Sequence, residues 1–332
     1  MRPLRTAILG CGEIARRHVQ TFQRYERDFE LVAFCNRTIE KAIDFSDQFT
    51  AGKGAVYSNH HEMFSQVEMD MVAINLPPYA HSDEVEMAAR QGVHVHIEKP
   101  IALTSEQGWR MVAAAERAGI KTQVGFKFRF GGAVEKLNAL MESGEAGSPG
   151  LFAGRYFCNS LHSPWWRVRE KSGGQLLEQA IHLIDLMRLF MGEPESVYSR
   201  QVNLFHNEIP DYTIEDFSAT IYSYPSGELG VIYATNNAIP GKWINDFKVV
   251  TQNITAEFND ANHAAVTFTQ LENKPTEMIA SEKDVFAAEM LDLVHAIRTD
   301  GRTRVPLREG ALSLDLALAA VRSAQERREI GL

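Results

Sequence analysis

Thr6-Ala7-Ile8-Leu9-Gly10-Cys11-Gly12-Glu13-Ile14-Ala15 is the stretch from which this 332-residue chain is read outward. Thr6 to Leu9 has the character of a buried strand, and residues 16–27 continue as a helix. Gly10 permits a tight turn between them. Gly12 lets a pyrophosphate approach the backbone, and Ala15, in place of a third glycine, keeps helix and strand close. The free N–H groups and the dipole at the helix start then favour phosphate. Gly10, Gly12, Glu13 and Ile14 are therefore candidate cofactor contacts. Such a motif alone is weak, but its place between a strand and a helix makes it specific.

Further buried strands follow at 30–35, 70–75, 92–97 and 120–124, with a weaker one at 55–57 and helices between them. Strand–helix alternation of this kind predicts a doubly wound parallel sheet, assigned here to residues 1–125. The second strand ends at Asn36-Arg37-Thr38, where an acidic residue usually holds the ribose hydroxyls. Asn36 can hydrogen-bond a ribose and Arg37 can pair with a 2′-phosphate. The expected cofactor is NADP or NAD, with a lean towards NADP. Ligands of an open parallel sheet bind beyond the carboxyl ends of its strands. That places Asn75, Pro77, Pro78 and His81 on the cofactor wall, and brings Glu98-Lys99-Pro100 to the same end.

After Gly125 the pattern changes. Strand-like stretches at 151–159, 197–205, 213–224, 229–235, 247–251, 255–258 and 265–270 are joined by short turns. Helical stretches lie at 131–143, 284–298 and 308–326. Residues 126–332 are expected to form an α+β domain with one large, mostly antiparallel open sheet, binding substrate and building the oligomer. A sheet with one face uncovered by its own helices needs a partner subunit, so a homodimer or homotetramer is expected.

Residues 173–192 are expected to form one helix, apolar almost all round and hence buried. Yet this run carries Glu178, His182 and Asp185 at spacings of i, i+4 and i, i+3, which would set all three along one face. Buried acids and imidazoles are costly unless paired or used. Oxidation of an alcohol needs a base for the hydroxyl proton and a donor or cation for the developing alkoxide. His182 suits the base, since its unperturbed pKa lies near neutrality. Lys99 suits proton transfer or polarisation, and Glu178 can orient His182 or bind a substrate hydroxyl. Asp185 is read as a partner of Arg188 or an outer contact of the substrate site. Arg129, Trp166 and Arg167 are the other substrate-binding candidates, and the loops around Trp165-Trp166-Arg167, Asn236-Asn237 and Trp243 are expected to choose the substrate.

Composition narrows the alternatives. A net charge of −9 argues against general nucleic-acid binding. Three scattered cysteines (Cys11, Cys35 and Cys158) suggest a reducing compartment without a disulfide framework. Residues 1–5 lead directly into an apolar strand, without the apolar core of a signal peptide. No run reaches the ~20 apolar residues of a membrane span, so a cytoplasmic location is expected. No metal site is expected, because no cysteine pair has metal-like spacing and His60 and His61, being adjacent, do not share a helix face.

These residues resemble the Gfo/Idh/MocA family, the glucose–fructose oxidoreductase and inositol 2-dehydrogenase group. The resemblance spans nearly the whole chain. It rests on residues 10–15, on Asn75-Leu76-Pro77-Pro78-Tyr79-Ala80-His81, on Glu98-Lys99-Pro100 and on residues 173–185. It implies a Rossmann domain followed by an open-sheet α/β domain, with a catalytic lysine at Lys99 and a catalytic histidine at His182. One turn before that histidine the family commonly has aspartate, where this chain has Glu178. The implied reaction is hydride transfer between a nicotinamide and a secondary alcohol or ketone of a sugar, cyclitol or related polyol. Two other readings are a glycoside hydrolase of the same fold that uses tightly held NAD, and a cofactor-binding sensor or scaffold without turnover.

Overall fold

The computed structural model describes every residue except Met1, Ser160 and His162. Two compact units are found, one of residues 1–125 and 286–311, the other of 126–285 and 312–332.

In the first unit the elements run β1 (Leu4–Leu9), α1 (Glu13–Arg24), β2 (Phe29–Cys35), α2 (Ile39–Thr50), β3 (Ala55–Tyr57), α3 (His60–Gln66), β4 (Met71–Ile74), α4 (Glu84–Gln91), β5 (His94–Ile97), α5 (Ser105–Ala118) and β6 (Thr122–Val124). The six strands pair in parallel in the order β3-β2-β1-β4-β5-β6. This is the expected doubly wound sheet, whose strand order reverses between β1 and β4. Its central strands are buried throughout, as the β4 sequence MVAI requires. Thr104 caps α5, its side chain accepting from the Gln107 N–H at 3.3 Å.

Residues 286–311, assigned above to the second domain, pack instead with the first unit. The reason is a shared core: Met290, Leu293 and Val294 belong to the apolar cluster that contains Ile8, Phe22 and Phe34.

The second unit continues with α6 (Gly132–Glu142), β7 (Pro149–Phe157), α7 (Arg169–Ser172), α8 (Gln175–Glu178), α9 (Ile181–Met191), β8 (Ser196–Val202), β9 (Phe217–Ser223), β10 (Leu229–Thr235), β11 (Phe247–Thr251), β12 (Ile254–Phe258), β13 (His263–Phe268) and β14 (Thr276–Ala280). Helices α10 (Val285–Thr299) and α11 (Leu307–Glu326) and the short β15 (Ile330–Gly331) close the chain. Nine strands form one sheet in the order β14-β13-β12-β11-β7-β10-β9-β8-β15, antiparallel except between β7 and β10. Strands β14 and β15 were not expected. The first carries almost no buried apolar residue and the second is two residues long, so neither leaves a hydrophobic pattern.

The run 173–192 is not one helix. It breaks into α8 and α9 at Gln179 and Ala180, where the Ala180 N–H reaches back to Gln175 and the His182 N–H to Gln179. Tertiary hydrogen bonds hold the two pieces apart: Gln175 Nε2 donates to the Thr235 carbonyl at 2.8 Å, and the Cys158 thiol donates to Gln179 Oε1 at 2.9 Å. Helix α9 lies on β7 and β10. At Gly154 of β7 a Cβ would stand 3.2 Å from Leu183 Cδ1, so glycine allows this close approach. No helix among the described residues is long and apolar enough to cross a membrane.

Candidate active site

The first unit gathers its candidates at the carboxyl ends of β1, β4 and β5. Gly10 has φ +90°, and a Cβ there would stand 2.8 Å from the Asn75 carbonyl oxygen. Only glycine fits that turn. At Gly12 a Cβ would meet nothing within 4 Å, so the backbone faces an open cradle. No side chain caps the start of α1, which begins at Glu13 and Ile14. Asn75 Oδ1 and His81 Nε2 are buried without a hydrogen-bond partner. An open glycine cradle, an uncapped helix start and two orphaned polar atoms together fit a dinucleotide.

Several expected contacts have other duties. Asn36 Oδ1 accepts from the Cys11 N–H at 3.1 Å and its Nδ2 donates to the Thr38 carbonyl at 2.9 Å, tying β2 to the glycine turn. Arg37 is exposed. Pro77 leads into a short 3-10 helix, Pro78–Ala80, in which Pro78 is buried. His81 is held by Glu84, Nδ1 to Oε1 at 2.5 Å. Burial opposes the Glu84 charge, but His81 and the Ser82 N–H outweigh it and hold the carboxyl down to about 2.

Lys99 is half-buried at the end of the β5 segment. The Glu98 carboxylate before it turns inward, accepting from His18 Nε2 at 2.8 Å and from the Lys99 N–H at 3.3 Å. Burial pushes the Glu98 carboxyl up; the His18 hydrogen bond, with His18, His96 and Lys99 nearby, reverses this and holds it well below the usual carboxylate range. His18 was missed by sequence. The one available signal was a histidine on the buried stripe of α1, between Ala15, Val19 and Phe22.

In the second unit His182 is buried, with ring centroids of Phe128 and Phe126 at 4.6 and 5.9 Å. Glu178 is buried on α8, across the break, so it and His182 do not share the face of one continuous helix. It lines a small cavity with Trp166, Gln175, Gln179, Ile214 and Asn236. Asp185 takes both arms of Arg129, Nε to Oδ2 at 2.8 Å and Nη2 to Oδ1 at 2.7 Å, and Arg188 binds Glu193. Two candidates for substrate contact are thus joined to each other. Arg167 donates to the Leu161 carbonyl at 3.1 Å and fastens its own loop.

The amino-terminal residues 4–126 match the family model described as an oxidoreductase family with an NAD-binding Rossmann fold. Residues 134–257 match the carboxy-terminal domain model of the same family. The chain belongs to the Gfo/Idh/MocA oxidoreductase family. It is 24% identical to myo-inositol 2-dehydrogenase of Thermotoga maritima, over 99% of this chain and 98% of that one. Against D-glucoside 3-dehydrogenase of Escherichia coli it is 29% identical over 58% of this chain and 55% of that one. Among solved structures, levoglucosan dehydrogenase in complex with NADH and levoglucosan superposes with a TM-score of 0.90 at 20% identity, covering 99% of both chains. That likeness establishes the fold.

Three residues given no site role by the sequence lie near Glu178 and Asn236: Gln175 lines the same cavity, the Cys158 thiol donates to Asn236 Oδ1 at 3.3 Å, and Tyr156 feels the Glu178 charge. Burial first, and then the Glu178 charge, raises the Tyr156 phenol above its usual range.

Proposed function

We propose that this member of the family oxidises a secondary alcohol of a sugar, cyclitol or related polyol, or reduces the corresponding ketone. The observation that carries the reading is the Glu98-Lys99 pair at the carboxyl end of a nucleotide-binding sheet, in a chain whose second unit holds a buried histidine beside two phenylalanines. Relatives named for inositol and glucoside oxidation support the substrate class. A bound nicotinamide would supply the hydride acceptor for the carbinol carbon. Lys99 donates a hydrogen bond to the carbinol oxygen as negative charge develops there. His182 takes the hydroxyl proton on an imidazole nitrogen, leaving a carbonyl. Glu178 binds a neighbouring hydroxyl or steadies His182, Trp166 and Arg167 shape the pocket, and Asp185 keeps Arg129 in place. Gly10, Gly12, Glu13, Ile14, Asn36, Asn75, Pro77, Pro78 and His81 hold the cofactor.

NAD is the proposed cofactor. The lean towards NADP rests on Arg37 alone, and the family description names NAD. The hydrolase and the turnover-free sensor find no support among these relatives. A cytoplasmic homodimer or homotetramer is proposed, joined through the open face of the large sheet, where Tyr198, Ile221, Leu229 and Tyr233 are exposed.

A screen of sugars and polyols with each cofactor, followed at the NAD(P)H absorbance, tests the reading. Turnover with NAD on one member is expected. Lys99→Met should lower kcat by about 1,000-fold, with NAD affinity within a few-fold. Near-normal rates in that variant remove Lys99 from the chemistry.

A further inference from the structure

Behind β5, on the side away from solvent, the first unit buries an unusual number of polar side chains. His96 of β5, His18 of α1 and Glu289 of α10 are all fully enclosed. One potential ligand atom from each lies within 4.8 Å of the others. Both ring nitrogens of His96 and Nδ1 of His18 have no hydrogen-bond partner. Gln123, which stands beside His96 in the register of β5 and β6, also leaves both atoms of its buried amide without a partner. Five orphaned polar atoms in one enclosed place are costly unless a bound ion or water satisfies them.

Water and a metal ion are the two candidates, and three observations favour the ion. First, the donor set of two imidazoles and one carboxylate is one that zinc accepts. Second, His96 Nε2 and Glu289 Oε1 stand 3.5 Å apart. That distance is close to the ~3.3 Å edge between two ligands of a tetrahedral zinc. Third, His18 Nε2 already gives its proton to the Glu98 carboxylate at 2.8 Å. A carboxylate that takes one ring N–H leaves the lone pair on the other nitrogen and orients the ring, the usual support of a metal-bound histidine.

We propose that His18, His96 and Glu289 form a buried structural site for a divalent transition-metal ion, with zinc the best match. Such an ion ties α1, β5 and α10 together and fastens the returning segment 286–311 to the sheet. It also offsets the negative charge that Glu98 and Glu289 bring into an apolar core.

The full-length protein, stripped with a chelator and dialysed, is titrated with zinc and with cobalt. Expected results are about one equivalent bound per chain, the visible absorption bands of tetrahedral cobalt, and a rise in Tm of about 4 °C at saturating zinc. His96→Gln and Glu289→Gln should each weaken binding at least ~10-fold. His61→Ala removes part of the separate, solvent-accessible His60–His61–Asp83 group and should leave the stoichiometry unchanged. Should the buried variants fail to fold, the cobalt protein decides: two shifted, exchange-protected imidazole N–H resonances support the site. Binding below about a tenth of an equivalent, binding lost in His61→Ala, or a cobalt spectrum without those resonances overturns it and leaves ordered water as the occupant.

Discussion

His182 sits beside two aromatic rings in a buried setting, and that setting explains why a single imidazole carries much of the proposed proton transfer. With few alternative groups at hand, its loss cannot be compensated by bulk water near neutrality. His182→Ala should lower kcat by about 100-fold or more near pH 7. The deficit should shrink at high pH, where hydroxide substitutes; an unchanged pH–rate profile would assign the proton to another group. Lys99 and His182 were legible from sequence because each breaks the chemistry of its surroundings, a cation closing an apolar strand and an imidazole in an apolar run. Arg129 and Asp185 were equally conspicuous, yet they neutralise each other through two hydrogen bonds. Conspicuous charge marks a buried polar residue; only the partner tells whether it serves the substrate or the fold. His18 and Glu289 lay hidden for the opposite reason, each being the one titratable residue among the buried positions of its helix.

At the scale of elements, the segment that opens α4 shows how one hydrogen-bonded pair sets a local pH response. Glu84 has no exposed surface, and it receives His81 Nδ1, the Ser82 N–H and the Ser82 hydroxyl. Its carboxyl is held down to about 2, from an ordinary 4.5. A group depressed on folding contributes stability in full above its unfolded pKa and loses it as pH falls through the folded value. The contribution, of roughly 3 kcal/mol from the shift of Glu84, should therefore fade between about pH 4.5 and pH 2. Glu84→Gln should destabilise the protein at pH 7 and flatten the acid limb of its unfolding curve in that window, as read by circular dichroism against denaturant. A parallel acid limb in the variant would show that the His81–Glu84 pair carries little. The run 173–192 makes the complementary point. Its apolar pattern is helical on both sides of Gln179, so periodicity could not reveal a break imposed by Gln175 and Gln179 bonding to Thr235 and Cys158.

The whole molecule is governed by two sheets that manage their faces differently. In the parallel sheet β4 is buried along its whole length and β5 along all but its first residue. The nine-stranded sheet alternates buried and exposed positions along β9 and β10, and its exposed side carries Tyr198 and Ile221 as cross-strand neighbours, with exposed Tyr233 two residues along β10 from Val231, the other partner of Ile221. A contiguous apolar face of this kind is the mark of an association surface. Ile221→Lys places a charge at its centre and should shift the protein to the mass of one chain by light scattering, with its circular dichroism unchanged. A wild-type protein already of one-chain mass, or a variant that keeps the mass of an oligomeric wild type, would overturn the proposed interface.

The linear order of residues conveyed the class of both sheets, the glycine turn after β1 and the outlying lysine and histidine. These depend on local properties: side-chain period, glycine conformation and the cost of burying a charge. Three things needed the folded chain. They are the return of 286–311 to the first unit, the break between Glu178 and His182, and the pairing of Arg129 with Asp185. Each results from contacts between residues far apart in sequence, whose energies outweigh local preference and leave no trace in the spacing of neighbours.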